Sequence, residues 1–476
     1  MGYRDIEDPA EQGATRMARG RMEPSKIVFL AVSAATVLGL AFMMGLYSGV
    51  TRNAAYSLVR TIKNDLTLVM EESPNVVGAG RPIHFLQPAR HNGSGVTVNA
   101  AADDGRLILL AGMFDSKDNE LRLMRRDGTV VARWPVRFSE HFPDASHLPS
   151  APATDWNIDT HGALMRPDGS VVFNYEYGGT VKLSRCGDVE WTLAHPTHHS
   201  IEAAEGGGFW IPGRRFLGPD DPDVFPPLTT RSNNEVIEDD LILRVSEDGA
   251  IEEQVSVTEV LFDNGLKPLM TATGYNFNNW RVLNGELVHL NKIAELPSHM
   301  APAFSGFEAG DLALSLRQRN LIFVVDPDDW RVKWHQVGPW VRQHDPEFNA
   351  DGSISVFNNN TYRTALNGDD HSALDAPRVT TIMKAFPSEG VTRTVLGERQ
   401  GQEMLSVIRG KLDPTPNGGT LVTEFESGRA VEFDDRGRVV WEYINRYDEE
   451  WVLEITEARS YPASFFTVDD WSCPGR

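Results

Sequence analysis

Three features of the 476-residue sequence predict an all-β fold, a six-bladed β-propeller behind one N-terminal transmembrane helix. One is an uncharged apolar run close to the N-terminus. Another is a long texture of short strands broken by Gly, Asp, Asn and Pro, and the third is a unit that recurs within that texture.

The run from Ile27 to Val50 holds 24 residues and no charge. At about 1.5 Å per residue it reaches across roughly 30 Å of hydrocarbon. A cleavable signal peptide has a shorter apolar region, about 7–15 residues, so the run reads as a retained anchor. Arg4, Arg16, Arg19, Arg21 and Lys26 precede it, while only Arg52, Arg60 and Lys63 follow closely. That bias predicts a cytoplasmic N-terminus, a single pass through an inner membrane, and the remaining mass on the periplasmic side. Residues 1–26 mix both charge signs with Gly and Pro and read as a flexible cytoplasmic tail. Beyond the span, Ala54, Ala55, Leu58, Val59, Ile62, Leu66, Val69 and Met70 recur at helical spacing up to Pro74. Residues 51–80 are therefore expected to form a helical stalk, with a continuation of the membrane helix as the alternative.

From residue 81 to 476 the strand texture takes over. Its unit is a D-G or N-G turn, two apolar strands, a second acidic or glycine turn, and a strand ending in Trp. Clear copies run from Asp168-Gly169 to Trp191, from Gly310-Asp311 to Trp334 and from Asn417-Gly418 to Trp441. Partial copies begin at Asp104-Gly105, Asp248-Gly249 and Asp351-Gly352, and Asp127-Gly128 leads to Trp134. Units of three or four strands over some 400 residues fit propeller blades better than two stacked β-sandwiches, the competing architecture. Residues 213–240, rich in Pro, Asp and Asn, read as a long surface loop. Within it Asp220, Asp221 and Asp223 are either a solvated acidic stretch or a calcium site lacking the EF-hand pattern.

A net charge of −22, with 67 acidic against 45 basic residues, argues against nucleic acid as a partner. Two cysteines, Cys186 and Cys473, are too few for a disulfide scaffold or a Cys-based zinc site. Their separation leaves pairing and two free thiols equally open. No P-loop or dinucleotide fingerprint is present, so no nucleotide cofactor is expected.

Several of the histidines stand at the head of a repeat unit: His161, the pair His198 and His199, His299, and His344. A single buried histidine is usually a satisfied structural residue. The innermost strands of a propeller all line one channel, however, and equivalent positions from different blades converge there.

The segments T-H-G-A-L-M-R-P-D-G-S-V-V-F, R-C-G-D-V-E-W-T, H-H-S, A-L-S-L-R-Q-R-N-L-I-F-V-V-D, Q-H-D-P-E-F-N-A-D-G-S-I-S-V-F-N-N-N and G-R-A-V-E-F-D-D-R-G-R-V-V-W-E-Y run in order between Asp155 and Tyr461. As an ordered set they resemble the bacterial arylsulfotransferase family. The resemblance implies a six-bladed propeller that moves a sulfuryl group from a phenolic sulfate ester to a phenol, without a nucleotide sulfate donor, cofactor or metal, through a transient sulfohistidine. It assigns the nucleophile to His344, an assisting role to His199 of the H-H-S pair, and a second pair to His299 and Arg317; the register of the repeat units adds His161 and His198 as further channel-lining candidates. The residue types suit the chemistry. A neutral imidazole, with an ordinary pKa of about 6.5, is a nucleophile near neutrality, and a second one can shuttle the phenol's proton. A guanidinium is always charged and matches the sulfuryl oxygens.

Two departures stand out. The family carries an Asn two positions after its assisting histidine, where Ala301 and then Pro302 follow His299. Asn358, Asn359 and Asn360 stand where a D-N-G turn is usual. The first departure supports an alternative reading, a propeller that has lost catalysis and acts as an extracytoplasmic binding or assembly module. A third reading is a histidine-ligated Zn, Cu or Ni site, which lacks any HExxH-like spacing.

Overall fold

The computed structural model describes residues 23–51, scattered positions between 55 and 73, and residues 85–473 apart from 101–103, 115–118, 153, 219–220, 222–236, 272–285 and 362–378. The expected tail and most of the expected stalk lie outside the described residues, as do Asp220 and Asp223. By its contacts the chain divides into two units, Met1–Arg81 and Pro82–Arg476.

The first unit contains the helix Pro24–Thr51, 28 residues with none buried and long and apolar enough to cross a membrane. Nothing in the span interrupts it: the one Pro, Pro24, sits at the first helical position, where its missing N–H costs no hydrogen bond.

The second unit is a six-bladed propeller. Blade 1 contains Leu107–Met113, Asn119–Arg125 and Val130–Val136, and blade 2 runs Thr160–Met165, Val171–Tyr175, Gly179–Leu183, Val189–Leu193. Blade 3 runs Glu202–Ala203, Phe209–Leu217, Ile237–Val245, Ile251–Ser256, and blade 4 runs Leu290–Glu295, Leu312–Leu316, Leu321–Val325, Val332–Val337. Blade 5 runs His344–Phe348, Ile354–Asn358, Thr381–Phe386, Val391–Leu396, and blade 6 runs Lys411–Pro414, Thr420–Glu424, Arg429–Phe433, Val439–Ile444. Both chain ends close the ring. Ile455–Tyr461 returns as the innermost strand of blade 1, and Gly95–Asn99 is added to the outer edge of blade 6. Antiparallel ladders join all of these neighbours.

The core is six separate wedges of apolar side chains, one in each gap between blades. A blade's middle strands therefore bury both faces, which is why Leu107–Met113 and Leu321–Val325 read as continuous apolar runs, not alternations. Outermost strands face a neighbour on one side only, and Val391–Leu396 alternates accordingly.

The recurring tryptophan has a physical reason. Trp134, Trp191 and Trp441 sit on the fourth strands, counted from the channel, of blades 1, 2 and 6. Each donates its indole N–H to a carbonyl in the third turn of the next blade: Ser184 O at 3.1 Å, Glu247 O at 3.0 Å and Arg126 O at 2.8 Å respectively. The turn glycine Gly249, with φ +85°, lies against the Trp191 indole; a Cβ there would meet that ring at 2.6 Å.

The stretch 213–240 is strand at both ends, which corrects its reading as one long loop. Phe209–Leu217 pairs with Ile237–Val245 without a shift, and Arg214 lies opposite Asp240 and Arg215 opposite Asp239. Those cross-strand ion pairs take the place of the apolar alternation that would have marked a strand. Cys186 and Cys473 form a disulfide, tying the segment after the closing strand to the third turn of blade 2.

Candidate functional site

The histidines gather where the innermost strands begin. His161 is the second residue of Thr160–Met165, His198 and His199 precede Glu202–Ala203, His289 precedes Leu290–Glu295, and His344 opens His344–Phe348. The backbone there is wound unusually tightly. His199, His289, Asp345 and Arg409, at the heads of four different blades, have φ of 57°, 58°, 49° and 58°. Non-glycine residues in this left-handed region cost about 1–3 kcal/mol each and persist where surrounding contacts over-determine them. At Gly162 a Cβ would fall 2.1 Å from the His199 carbonyl oxygen, so only glycine lets blades 2 and 3 approach this closely.

The rings are in contact. His161 and His199 have centroids 3.9 Å apart, His199 and His289 are edge-to-face at 4.9 Å, and His199 lies nearly parallel to His344 at 6.2 Å. His198 Nδ1 is 2.7 Å from His199 Nδ1, and His199 Nε2 is 3.3 Å from His289 Nε2. Glu286 Oε1 lies 2.5 Å from His289 Nδ1 and also accepts from Arg214 Nη2 at 2.8 Å. Arg317 Nη2 approaches the same His289 nitrogen to 3.3 Å.

The tautomer of His344 follows from its neighbours. Asn359 donates its amide N–H groups to Ser406 O and Arg409 O, at 2.9 and 2.8 Å, so its Oδ1 must face His344. That oxygen accepts from His344 Nδ1 at 2.7 Å, which leaves Nε2 with a bare lone pair. Among the described residues Nε2 has no partner, although it is buried, and the same is true of Arg317 Nε and both ring nitrogens of His161. Buried polar atoms are normally satisfied, so a cluster of orphans marks where a ligand would sit. The residues flanking His344 serve as its mount. Gln343 donates to Ser315 Oγ and Leu321 O of blade 4, and Asp345 accepts from Leu412 N of blade 6.

Burial holds the imidazoles of His161, His198, His199 and His344 well below the ordinary histidine value, and Arg317 adds to the effect at His344. Burial and the Arg317 charge push His289 down to about 4, against the pull of Glu286. Burial would raise Glu286, but its hydrogen bond and charge pairing with His289, together with Arg214, hold it far below the carboxylate range. Arg317, desolvated and next to Arg342, is lowered to about 10 and stays charged. At neutral pH the site is thus a set of neutral imidazoles beside a fixed cation. It can offer a nucleophilic nitrogen, take up or release a proton, and hold an anion. Among the described residues no group of three or more His, Cys, Asp or Glu is placed to hold a metal ion.

Of the residues singled out by sequence, His161, His198, His199, Arg317 and His344 come together; His299 does not. It is exposed in the turn after Leu290–Glu295, at the far end of that strand from the cluster. His289, at the near end, stands beside Arg317 instead. Spacing to Arg317 misled the choice, because the chain crosses the blade between 289 and 299 and reverses which face it occupies. The signal that finds His289 is the Asn two positions on: Asn291 follows it and donates to Gln343 O at 2.8 Å, so the departure at Ala301 disappears. The three asparagines also acquire roles. Asn358 accepts from Val341 N, Asn360 donates to Val379 O, and Asn359 between them orients His344. Glu286 carried no sequence signal, and Asn359 stood out in sequence only as part of a departure from the usual turn.

Several solved structures are similar to this chain at low identity. A Bacteroides caccae protein of unknown function is 12% identical, with 75% of this chain and 98% of that one covered and a TM-score of 0.45. Virginiamycin B lyase from Staphylococcus aureus is 11% identical over 79% and 97%, with a TM-score of 0.36. AztD from Citrobacter koseri is 8% identical over 75% and 98%, with a TM-score of 0.37. Among curated protein sequences none matches significantly. The sequence profile of the arylsulfotransferase (ASST) family matches residues 158–446, a stretch that holds every residue of the histidine cluster, and the chain belongs to that family.

Proposed function

We propose that the propeller transfers a sulfuryl group from a phenolic sulfate ester to a phenol through a sulfohistidine at His344, and that the helix Pro24–Thr51 anchors it with the propeller on the extracytoplasmic side. The observation that carries the reading is the bare, buried Nε2 of His344, fixed by Asn359 and set beside Arg317.

In the first half-reaction His344 Nε2 attacks sulfur as the sulfur–aryl oxygen bond breaks, and the departing phenolate takes the proton that the His199–His289 pair holds from the preceding acceptor. In the second, the acceptor phenol gives its proton to that pair as its oxygen attacks sulfur, and the nitrogen–sulfur bond breaks, returning the electron pair to His344. Such proton transfer typically contributes about 10²–10⁴-fold. Arg317 faces charge that develops on the sulfuryl oxygens in a site from which water is largely excluded. The Cys186–Cys473 pairing supports an oxidising compartment. With His289–Asn291 in place of His299–Ala301, the reading as an inactive binding module loses the departure that favoured it.

The test is incubation with a chromogenic aryl sulfate, with and without a phenol acceptor. Acceptor-dependent phenol release is expected, with a sulfuryl adduct on the His344 peptide when the donor is supplied alone and quenched. His344→Asn should fold and turn nothing over; near-normal turnover, or an adduct elsewhere, rejects His344 as the nucleophile. Removal of residues 1–50 should move the protein from the membrane to the soluble fraction, and retention in membranes rejects the anchor.

A further inference from the structure

His198, His199 and His289 form one chain of contacts with an acceptor at each end. It runs from the Gly213 carbonyl through His198 Nε2 at 3.3 Å, His198 Nδ1 to His199 Nδ1 at 2.7 Å, His199 Nε2 to His289 Nε2 at 3.3 Å, and His289 Nδ1 to Glu286 Oε1 at 2.5 Å. A carbonyl and a carboxylate only accept, so the terminal contacts require N–H groups on His198 Nε2 and His289 Nδ1; at the latter the 2.5 Å contact to Glu286 outweighs the longer 3.3 Å approach of the Arg317 Nη2 donor. Asp240 Oδ1, 3.7 Å from His198 Nε2, reinforces the first of these. His198 Nδ1 is then a lone pair, which His199 must meet with its own Nδ1–H. Three neutral imidazoles carry three N–H protons, and all three are now placed. The contact left over is His199 Nε2 to His289 Nε2, where two lone pairs face each other.

We propose that this contact is a proton slot, and that Glu286 at one end and His198 at the other are the positioning residues that keep it open. The proposal rests on the sulfuryl-transfer reading and deepens it. The acceptor phenol's O–H breaks and its proton enters the slot, shared by two nitrogens, while its oxygen forms the new bond to sulfur and His344 Nε2 recovers the electron pair. In the first half-reaction of the next turnover the slot gives that proton to the departing phenolate; the first phenolate to leave the resting protein departs without it and takes its proton from water. The contacts filled between side chains are 2.5 and 2.7 Å, the slot is 3.3 Å, and the filled contact to the Gly213 carbonyl is also 3.3 Å, so the assignment rests on the proton count and not on distance. Groups facing it from neighbouring elements are Arg214, Glu238 and Asp240 of blade 3, Glu176 and Tyr177 of blade 2, Arg317 and Arg342, and the rings of His161 and His344. Burial and the Arg317 charge keep the slot empty at rest, and the carboxylate of Glu286 stabilises it once filled.

Glu286→Gln removes the charge and lets the amide turn, donating to Nδ1 and moving the His289 proton onto Nε2, which closes the slot. The readout is leaving-group dependence. With a sulfate ester of a weakly acidic phenol, turnover should fall roughly 10²–10³-fold, the range of a lost acid–base group. With an ester of a strongly acidic nitrophenol, whose phenolate needs no proton, the first burst should fall less than about 5-fold. A uniform loss across donors, or no loss, overturns the assignment. ¹⁵N NMR of the histidine side chains in the wild-type protein decides the tautomers without reference to activity. His289 should show a protonated Nδ1 and a bare Nε2, and the opposite assignment overturns the slot whether or not the protein folds after substitution. Failure of the wild type to turn over any aryl sulfate would instead remove the transfer reading and leave the NMR result standing.

Discussion

Asn359→Ala removes the side chain that sets the tautomer of His344, and its cost can be worked from three contacts. Asn359 accepts from His344 Nδ1 at 2.7 Å and donates to Ser406 O at 2.9 Å and Arg409 O at 2.8 Å, all in a fully buried setting. Each buried group left without a partner costs about 1–3 kcal/mol. Ser406 O keeps Thr380 Oγ1 at 3.4 Å, so two groups are stranded; at the low end, since water can enter the space left, the propeller should lose about 2 kcal/mol. The effect on chemistry is separate. Without the Asn359 acceptor, His344 is free to carry its proton on Nε2, the atom required as a lone pair, and Arg317 nearby does not restore the preference. Transfer should slow by roughly 10²–10³-fold while KM for the donor changes only a few-fold, because nothing that touches the rest of the substrate is altered. Denaturant unfolding measures the first quantity, and single-turnover phenol release from a chromogenic sulfate measures the second. A folded variant with turnover within about threefold of wild type would refute the argument that Asn359 fixes the reactive nitrogen.

Other outcomes separate the remaining assignments. His289→Asn should slow transfer by about 10²–10⁴-fold, whereas His299→Asn should leave it within about twofold; a loss at His299 would restore the spacing-based choice. Cys473→Ser should lower stability by roughly 2–5 kcal/mol, read from the denaturant midpoint, and non-reducing peptide mapping should find Cys186 linked to Cys473. Two free thiols in the mature protein would reject the pairing. Burial raises Glu454 to about 8 and Asp413 to about 7, while in the unfolded chain both titrate near 4. The folded state therefore binds more protons between about pH 4 and 8, so the stability these groups contribute is present at low pH and is lost as pH rises through 7–8. The melting temperature should fall between pH 6 and pH 9, and Asp413→Asn should flatten that slope; an unchanged slope would show that Asp413 does not bind the proton.

Periodicity and composition alone determined the uncharged span, the all-β character, the turn positions and the approximate number of blades. These are local properties: chain length across a bilayer, φ > 0 at turn glycines, and apolar runs that only a two-sided core can absorb. The repeating tryptophan was legible as a pattern, but that it reaches a turn carbonyl of the next blade needed the ring to be closed. His161, His198, His199 and His344 were legible because each opens a repeat unit. Arg317 came with the family resemblance. His289 was not, since the sequence points to His299 ten residues on in the same blade, and the choice between them rests on which end of Leu290–Glu295 meets the channel. Strand ends 213–217 and 237–240 were hidden because ion pairs across the ladder hold them, and an Arg opposite an Asp gives no periodic signal in one dimension. The disulfide, the orienting role of Asn359 and the chain from Gly213 to Glu286 were decided only by tertiary structure. Their partners lie far apart in sequence, 287 residues for the cysteines and 90 for His199 and His289, and only the winding of six blades about one channel makes them neighbours.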